Sequence, residues 1–157
     1  MLAVFDTSPL NYLIQLDKAG LLPQIYGRVL APTAVMDELS HPQAPSAVRA
    51  WALSPPAWLE KFGVSVDPTL SRALGPGERE AISLASAVSA DILIVDDFKA
   101  RTAASTRGIR IAGTIAVLRE ASRRGHVSLT ESVDRLRLLG FRISPTIVAD
   151  ALAEYEQ

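Results

Sequence analysis

Two adjacent carboxylates, Asp96 and Asp97, follow directly on the apolar run ILIV (92–95), and a third, Asp6, follows LAVF (2–5). Short runs of that kind read as interior strands of a parallel sheet, covered on both faces. Ligand sites in open α/β sheets lie beyond the carboxyl ends of the strands, so these acids stand where such sites form. Glu38, in the helical stretch TAVMDELS, and Glu78 and Glu80, opening GEREAISLASAVSA, add to the group. Carboxylates gathered within a few ångströms repel one another unless positive charge neutralises them. An all-oxygen, sulfur-free set suits Mg²⁺ or Mn²⁺. Asp6, Glu38, Glu78, Glu80, Asp96 and Asp97 are therefore candidate metal ligands.

Each acid also has an ordinary structural use. Asp6 before TSP can serve a turn or a cap, and Asp96 or Asp97 can cap the helix that begins DFKARTA. Glu38 can be a solvated helix charge, and Glu78 can complement a helix dipole. Those uses, one by one, leave unexplained why two apolar strands both end in aspartate with more acids on nearby helices.

The elements that must position these groups alternate. Further strand candidates are RVLA (28–31), the stretch around VSV (64–66) and IRIA (109–112). Between them lie helical patterns: SPLNYLIQLDKAG, with Ser8 as a cap, Pro9 in the first turn and Gly20 as a stop, then TAVMDELS, GEREAISLASAVSA and GTIAVLREASRRG. SPTIVADALAEYE repeats the Ser-Pro start, and the Pro-rich stretch 41–58 is expected to hold one helix between loops. Alternating strands and helices predict an α/β fold, a three-layer α/β/α sandwich on a mainly parallel central sheet, as one domain over 1–157. The Asp6 and Asp96 carboxylates meet in one cleft if the first and fourth strands are neighbours.

With no cysteine, disulfides, thiol nucleophiles and cysteine-ligated metal clusters are excluded. No apolar run is long enough to cross a bilayer, and MLAVFDTSPL lacks the marks of an export leader, so the expected location is the cytoplasm. The net charge of −1 hides an asymmetry. Residues 1–98 carry 6 basic and 11 acidic side chains, whereas residues 99–157 carry 10 basic and 6 acidic ones. Such a division fits a cation site flanked by a surface for an anionic polymer, and equally fits scattered solvated faces.

In order along the chain, VFDTSPLNYL, RVLAPTAVMDEL, GEREAISLASAVSADILIVDDFKAR, GTIAVLREASRRG and GFRIS resemble a PIN domain. That is the metal-dependent nuclease fold that includes the VapC toxins of bacterial toxin–antitoxin pairs. The similarity covers nearly the whole chain. It implies Mg²⁺- or Mn²⁺-dependent hydrolysis of phosphodiester bonds, chiefly in RNA, with Asp6, Glu38, an acid at 78 or 80 and an acid at 96 or 97 as metal-site and catalytic residues. By position Glu80 takes the third place, where many VapC sequences have aspartate, and Glu78 competes with it. Strand alternation sends Asp96 and Asp97 to opposite sides, so one of them, with some preference for Asp96, is expected to be the direct ligand. The resemblance also implies a homodimer and a small cognate antitoxin as partners, besides RNA.

Cations held by Asp6 and Asp96 or Asp97 make a bound water acidic and neutralise the attacked phosphate, and Glu38 or Glu80 can accept the water's proton. Thr7, Ser8, Asn11, Lys99 and Arg101 are candidate substrate-binding groups. Ser8 has a rival use as a cap, and Arg101 as an internal partner of a site carboxylate. Arg107, Arg110, Arg119, Arg123 and Arg124 offer a basic flank for an RNA backbone. Trp51 and Trp58 suit core or dimer packing, and His41 and His126 suit solvent-facing turns. A doubly wound phosphatase would want a second aspartate two positions after the first, where Ser8 stands. The remaining alternative is a non-catalytic PIN-like protein that binds nucleic acid or a partner.

Overall fold

A computed structural model describes residues 1–142; the helix expected over 144–156 lies outside the described residues. Among the described residues five parallel strands form one sheet in the order β3-β2-β1-β4-β5. They are β1 (Leu2–Phe5), β2 (Arg28–Pro32), β3 (Leu59–Phe62), β4 (Ile92–Ile94) and β5 (Ile111–Ala112). The helices are α1 (Thr7–Gln15), α2 (Leu22–Tyr26), α3 (Thr33–Leu39), α4 (Ser46–Leu53), α5 (Pro76–Ala87), α6 (Phe98–Thr106), α7 (Thr114–Arg123) and α8 (Leu129–Leu138), with a 3-10 turn over Ala19–Leu21.

Strands β1 and β4 are apolar throughout, and β2 is so after Arg28, because both faces are covered. Ala3 and Phe5 of β1, Val29 and Ala31 of β2, and Ile92 and Ile94 of β4 join one core with α1, α2, α3, α4, α7 and α8. The intervening residues Val4, Leu30 and Leu93 join a second core with α5, α6 and the segment carrying Leu70 and Leu74. The period of two along each strand thus divides the side chains between layers. The expected three-layer α/β/α arrangement is the one found.

The third strand differs from expectation. It is LEKF (59–62), not the stretch around VSV (64–66), where Ser65 and Val66 are exposed. As an edge strand β3 keeps only Leu59 fully buried, and Glu60 projects to a paired Arg28 with N–O distances of 2.8 and 3.0 Å. Its charges mask the strand pattern. Helix α8 was not expected at all, although Ser128, accepting from the Glu131 N–H, caps it.

Strand order carries the functional consequence. From β1 the chain moves outward to β2 and β3, then returns to place β4 on the other side of β1. The crevice beyond the carboxyl ends of β1 and β4 is a topological switch point, where ligands of such sheets bind. Phe5 pairs with Ile94, and the Asp6 N–H donates to the Ile94 carbonyl at 2.9 Å.

Candidate metal and nucleic-acid site

Beyond that crevice a hollow of about 1430 Å³ opens, lined at one end by Asp6, Glu38, Glu78, Asp96 and Asp97. The carboxylates come from four parts of the chain. Asp6 stands at the start of α1 and Glu38 near the end of α3, while Glu78 opens α5 and the Asp96–Asp97 pair bridges β4 and α6.

Asp6 is the most enclosed of them, 4% exposed. Its Oδ1 is buried with no hydrogen-bond partner. Burial above all, with Glu78, Glu38 and Asp96 adding repulsion, pushes its carboxyl up to about 7, although the Thr7 backbone N–H opposes the shift. Burial, followed by the charges of Asp97 and Glu38, also raises the Glu78 carboxyl. A group in this position needs a proton or a cation to be stable.

The other carboxylates are fastened to protein donors. Asp96 accepts the Thr114 N–H and hydroxyl, both at 2.7 Å, and the Ser8 hydroxyl at 3.1 Å. Glu38 accepts the Thr7 hydroxyl and the Gly77 N–H. Asp97 caps α6 by accepting the Ala100 N–H at 3.0 Å while its side chain still borders the hollow beside Glu78. As these groups stand, no three acidic or histidine side chains among the described residues converge closely enough to enclose a metal ion. The donor set is nevertheless chemically right for a hard divalent cation: oxygen throughout, net negative, with an orphaned buried oxygen on Asp6.

Of the two glutamates weighed at the third position, the structure brings Glu78 to the hollow and sends Glu80 elsewhere. The Glu80 carboxylate accepts the Ala34 N–H at 3.0 Å, at the start of α3. Three residues of helix separate two faces less than two do, so positions 78 and 80 of one helix cannot share a face. Ser8 lies within α1 rather than capping it, since the helix begins at Thr7 with Asp6 in the cap position.

Thr7, Ser8, Asn11 and Arg101 line the same hollow. Asn11 accepts from Gln15 at 3.1 Å, and Arg101 donates from Nη1 to the Val95 carbonyl at 3.4 Å. Lys99 does not; it borders a separate shallow hollow with Leu74 and the exposed Phe98. Arg110, Arg119, Arg123 and Arg124 also line the large hollow, joined by Arg142. Arg107 is not among them, because it donates to Asp67, Thr69 and the Ala103 carbonyl and ties a loop to α6. Trp51 and Trp58 lie against the core with ring centres 6.0 Å apart. His41 and His126 are both exposed.

Three contributors escaped sequence reasoning. Thr114 reads as a helix cap, yet its hydroxyl and N–H serve Asp96. Gly77 and Gly113 carry no side-chain chemistry to notice, yet each lies against a site carboxylate. The available signal was GT at the start of a helix behind a strand, beside the strand that ends in Asp-Asp.

An acid-lined crevice at the β1–β4 switch point is now joined by a sequence match. The family model DUF3368, described as a PIN domain, matches residues 2–157. The chain belongs to the PIN-domain family. This PIN domain is similar in structure to a PilT N-terminus domain protein from the hyperthermophilic archaeon Sulfolobus solfataricus P2, with a TM-score of 0.51 and 18% identity over 73% of this chain and 87% of that one. At that identity the likeness speaks for the fold alone. Among curated proteins none matches the sequence. PIN domains are usually nucleases and generally use divalent metals.

Proposed function

We propose that this PIN domain, spanning 1–157, is an Mg²⁺- or Mn²⁺-dependent endoribonuclease that hydrolyses phosphodiester bonds of single-stranded or structured RNA. The Asp6 carboxylate is the observation behind this: a buried oxygen without a partner, on a group that burial above all, and then three neighbouring acids, push up to about 7. Asp6, Glu38, Glu78 and Asp96 would hold the cation, with Asp97 at its margin. When bound, the cation supplies Lewis acidity to a water and to the attacked phosphate.

The chain's own residues do the remaining work. Thr7 and Ser8 orient Glu38 and Asp96 through their hydroxyls. Glu78, whose carboxyl is raised by burial and then by the charges of Asp97 and Glu38, borders the hollow, where it can accept a proton from water. Arg101, Arg110, Arg123 and Arg124, which line the same hollow, offer charge to the phosphates of a bound strand. No helix among the described residues is long and apolar enough to cross a membrane, and the place of action we propose is the cytoplasm.

The test is cleavage of labelled single-stranded RNA by the purified protein with Mn²⁺, with chelator, and with Asp6→Asn. Metal-dependent cleavage lost in the variant supports the proposal. A folded protein that binds Mn²⁺ and RNA without cutting supports the second reading, a non-catalytic binder, which the fastening of Glu38 and Asp96 to protein donors favours. We further propose a homodimer and restraint by a small antitoxin whose segment occupies the hollow. Molar mass in solution and co-purification with the product of a neighbouring reading frame test these two.

A further inference from the structure

Glu38 and Asp96 are held in the same manner, each from two sides. Glu38 takes the Thr7 hydroxyl on one side and the Gly77 N–H, at 3.0 Å, on the other. Asp96 takes the Ser8 hydroxyl at 3.1 Å and, opposite, the Thr114 N–H at 2.7 Å. Thr7 and Ser8 are consecutive residues of the first turn of α1. The opposing N–H groups belong to the first turns of α5 and α7, where Gly77 lies and which Gly113 immediately precedes.

Neither glycine serves the backbone. Neither has a positive φ: Gly77 is inside a helix, and Gly113 is extended at φ −117°, ψ −175°. Glycine inside a helix is ordinarily weaker than alanine. What both positions share is a lack of room. A Cβ on Gly77 would stand 2.6 Å from Glu38 Oε2 and 2.9 Å from Oε1. A Cβ on Gly113 would stand 2.8 Å from Asp96 Oδ1 and 2.9 Å from Arg101 Nη1. Carbon and oxygen do not pack that closely, so something must move. In both cases the obstructing atoms are the free ends of side chains, not backbone.

We infer that Gly77 and Gly113 are positioning residues of the cation site: their missing side chains let the starts of α5 and α7 press against Glu38 and Asp96 and keep both carboxylates at the hollow. This rests on reading the hollow as a divalent-cation site. It separates stability from function in an unusual direction. Alanine at 77 suits a helix better than glycine, and the displaced group is a flexible carboxylate, so the fold is kept while Glu38 is turned away.

Gly77→Ala and Gly113→Ala are compared with wild type by thermal unfolding without metal, by Mn²⁺ calorimetry and by the amide proton shift of residue 77. For Gly77→Ala the expected result is an unfolding midpoint equal to or above wild type with Mn²⁺ affinity at least tenfold lower. Gly113→Ala is expected to lose Mn²⁺ affinity in the same direction. The residue 77 amide, shifted downfield by its carboxylate acceptor in wild type, is expected to return to the ordinary range in Gly77→Ala. Folded alanine variants that bind Mn²⁺ as wild type does overturn the inference. A wild type that binds no Mn²⁺, but whose residue 77 amide moves as described, removes the cation site and leaves the positioning intact. Should Gly77→Ala not fold, Gly113→Ala and the wild-type shifts of residues 77 and 114 decide, and ordinary shifts at both overturn it.

Discussion

Thr114 grips Asp96 with two groups at once, its N–H on Oδ1 and its hydroxyl on Oδ2, each at 2.7 Å. Thr114 is fully buried, so neither donor has water as a substitute. Thr114→Val keeps the shape and removes one donor to a carboxylate. We expect a loss of about 2 kcal/mol in stability and weaker Mn²⁺ binding, both restored in Thr114→Ser. Chemical denaturation and calorimetry on the three proteins check this.

The raised Asp6 carboxyl sets a pH dependence. Folded, it titrates at about 7; its ordinary value is 3.8. Between those values the folded state keeps a proton that the unfolded chain has released, so stability falls as pH rises through this window, by up to about 4 kcal/mol. Thermal midpoints of the metal-free protein should therefore be lower at pH 8 than at pH 5, and Asp6→Asn should flatten the difference. Mn²⁺ should raise the midpoint more at pH 8 than at pH 5, since protons compete with it below 7.

Glu78 and Glu80, two residues apart on α5, should behave oppositely. Glu78→Gln is expected to reduce Mn²⁺ affinity by tenfold or more with little change in unfolding. Glu80→Ala removes the acceptor of the Ala34 N–H and is expected to cost about 1 kcal/mol with Mn²⁺ binding intact. Equal loss of Mn²⁺ binding in the two variants would contradict the placement of Glu80.

The arginines divide by place: Arg123 and Arg124, both paired with Glu120, line the hollow, and Arg107 does not. Arg123→Gln and Arg124→Gln should each weaken RNA binding and shorten its salt dependence by roughly 0.7 ions on a single strand. Arg107→Gln breaks the ties to Asp67 and Thr69 and should leave RNA binding as it is. Binding isotherms at several salt concentrations distinguish the two groups.

The sheet's centre was readable because LAVF, the VLA of RVLA and ILIV are covered on both faces, and burial writes itself as apolar sequence. Edge position hid β3, since Glu60 and Lys61 face solvent and Arg28. The gathering of acids at strand ends was legible from strand type and neighbouring helices. Their orientation was not. Whether Glu78 or Glu80 turns inward depends on the rotation of α5 against α3, and whether Asp97 caps α6 depends on where that helix starts. Thr114, Gly77 and Gly113 act across contacts that only the folded arrangement creates.

The order β3-β2-β1-β4-β5 also governs when the hollow exists. Asp6 is made well before the residues that complete its site, since Ser8 and Asp96 lie 88 residues apart and Thr114 comes later still. A pocket joined across that separation closes only after Thr114 has left the ribosome. The nascent polypeptide therefore passes through the very neighbourhood of messenger and ribosomal RNA without an assembled acidic crevice.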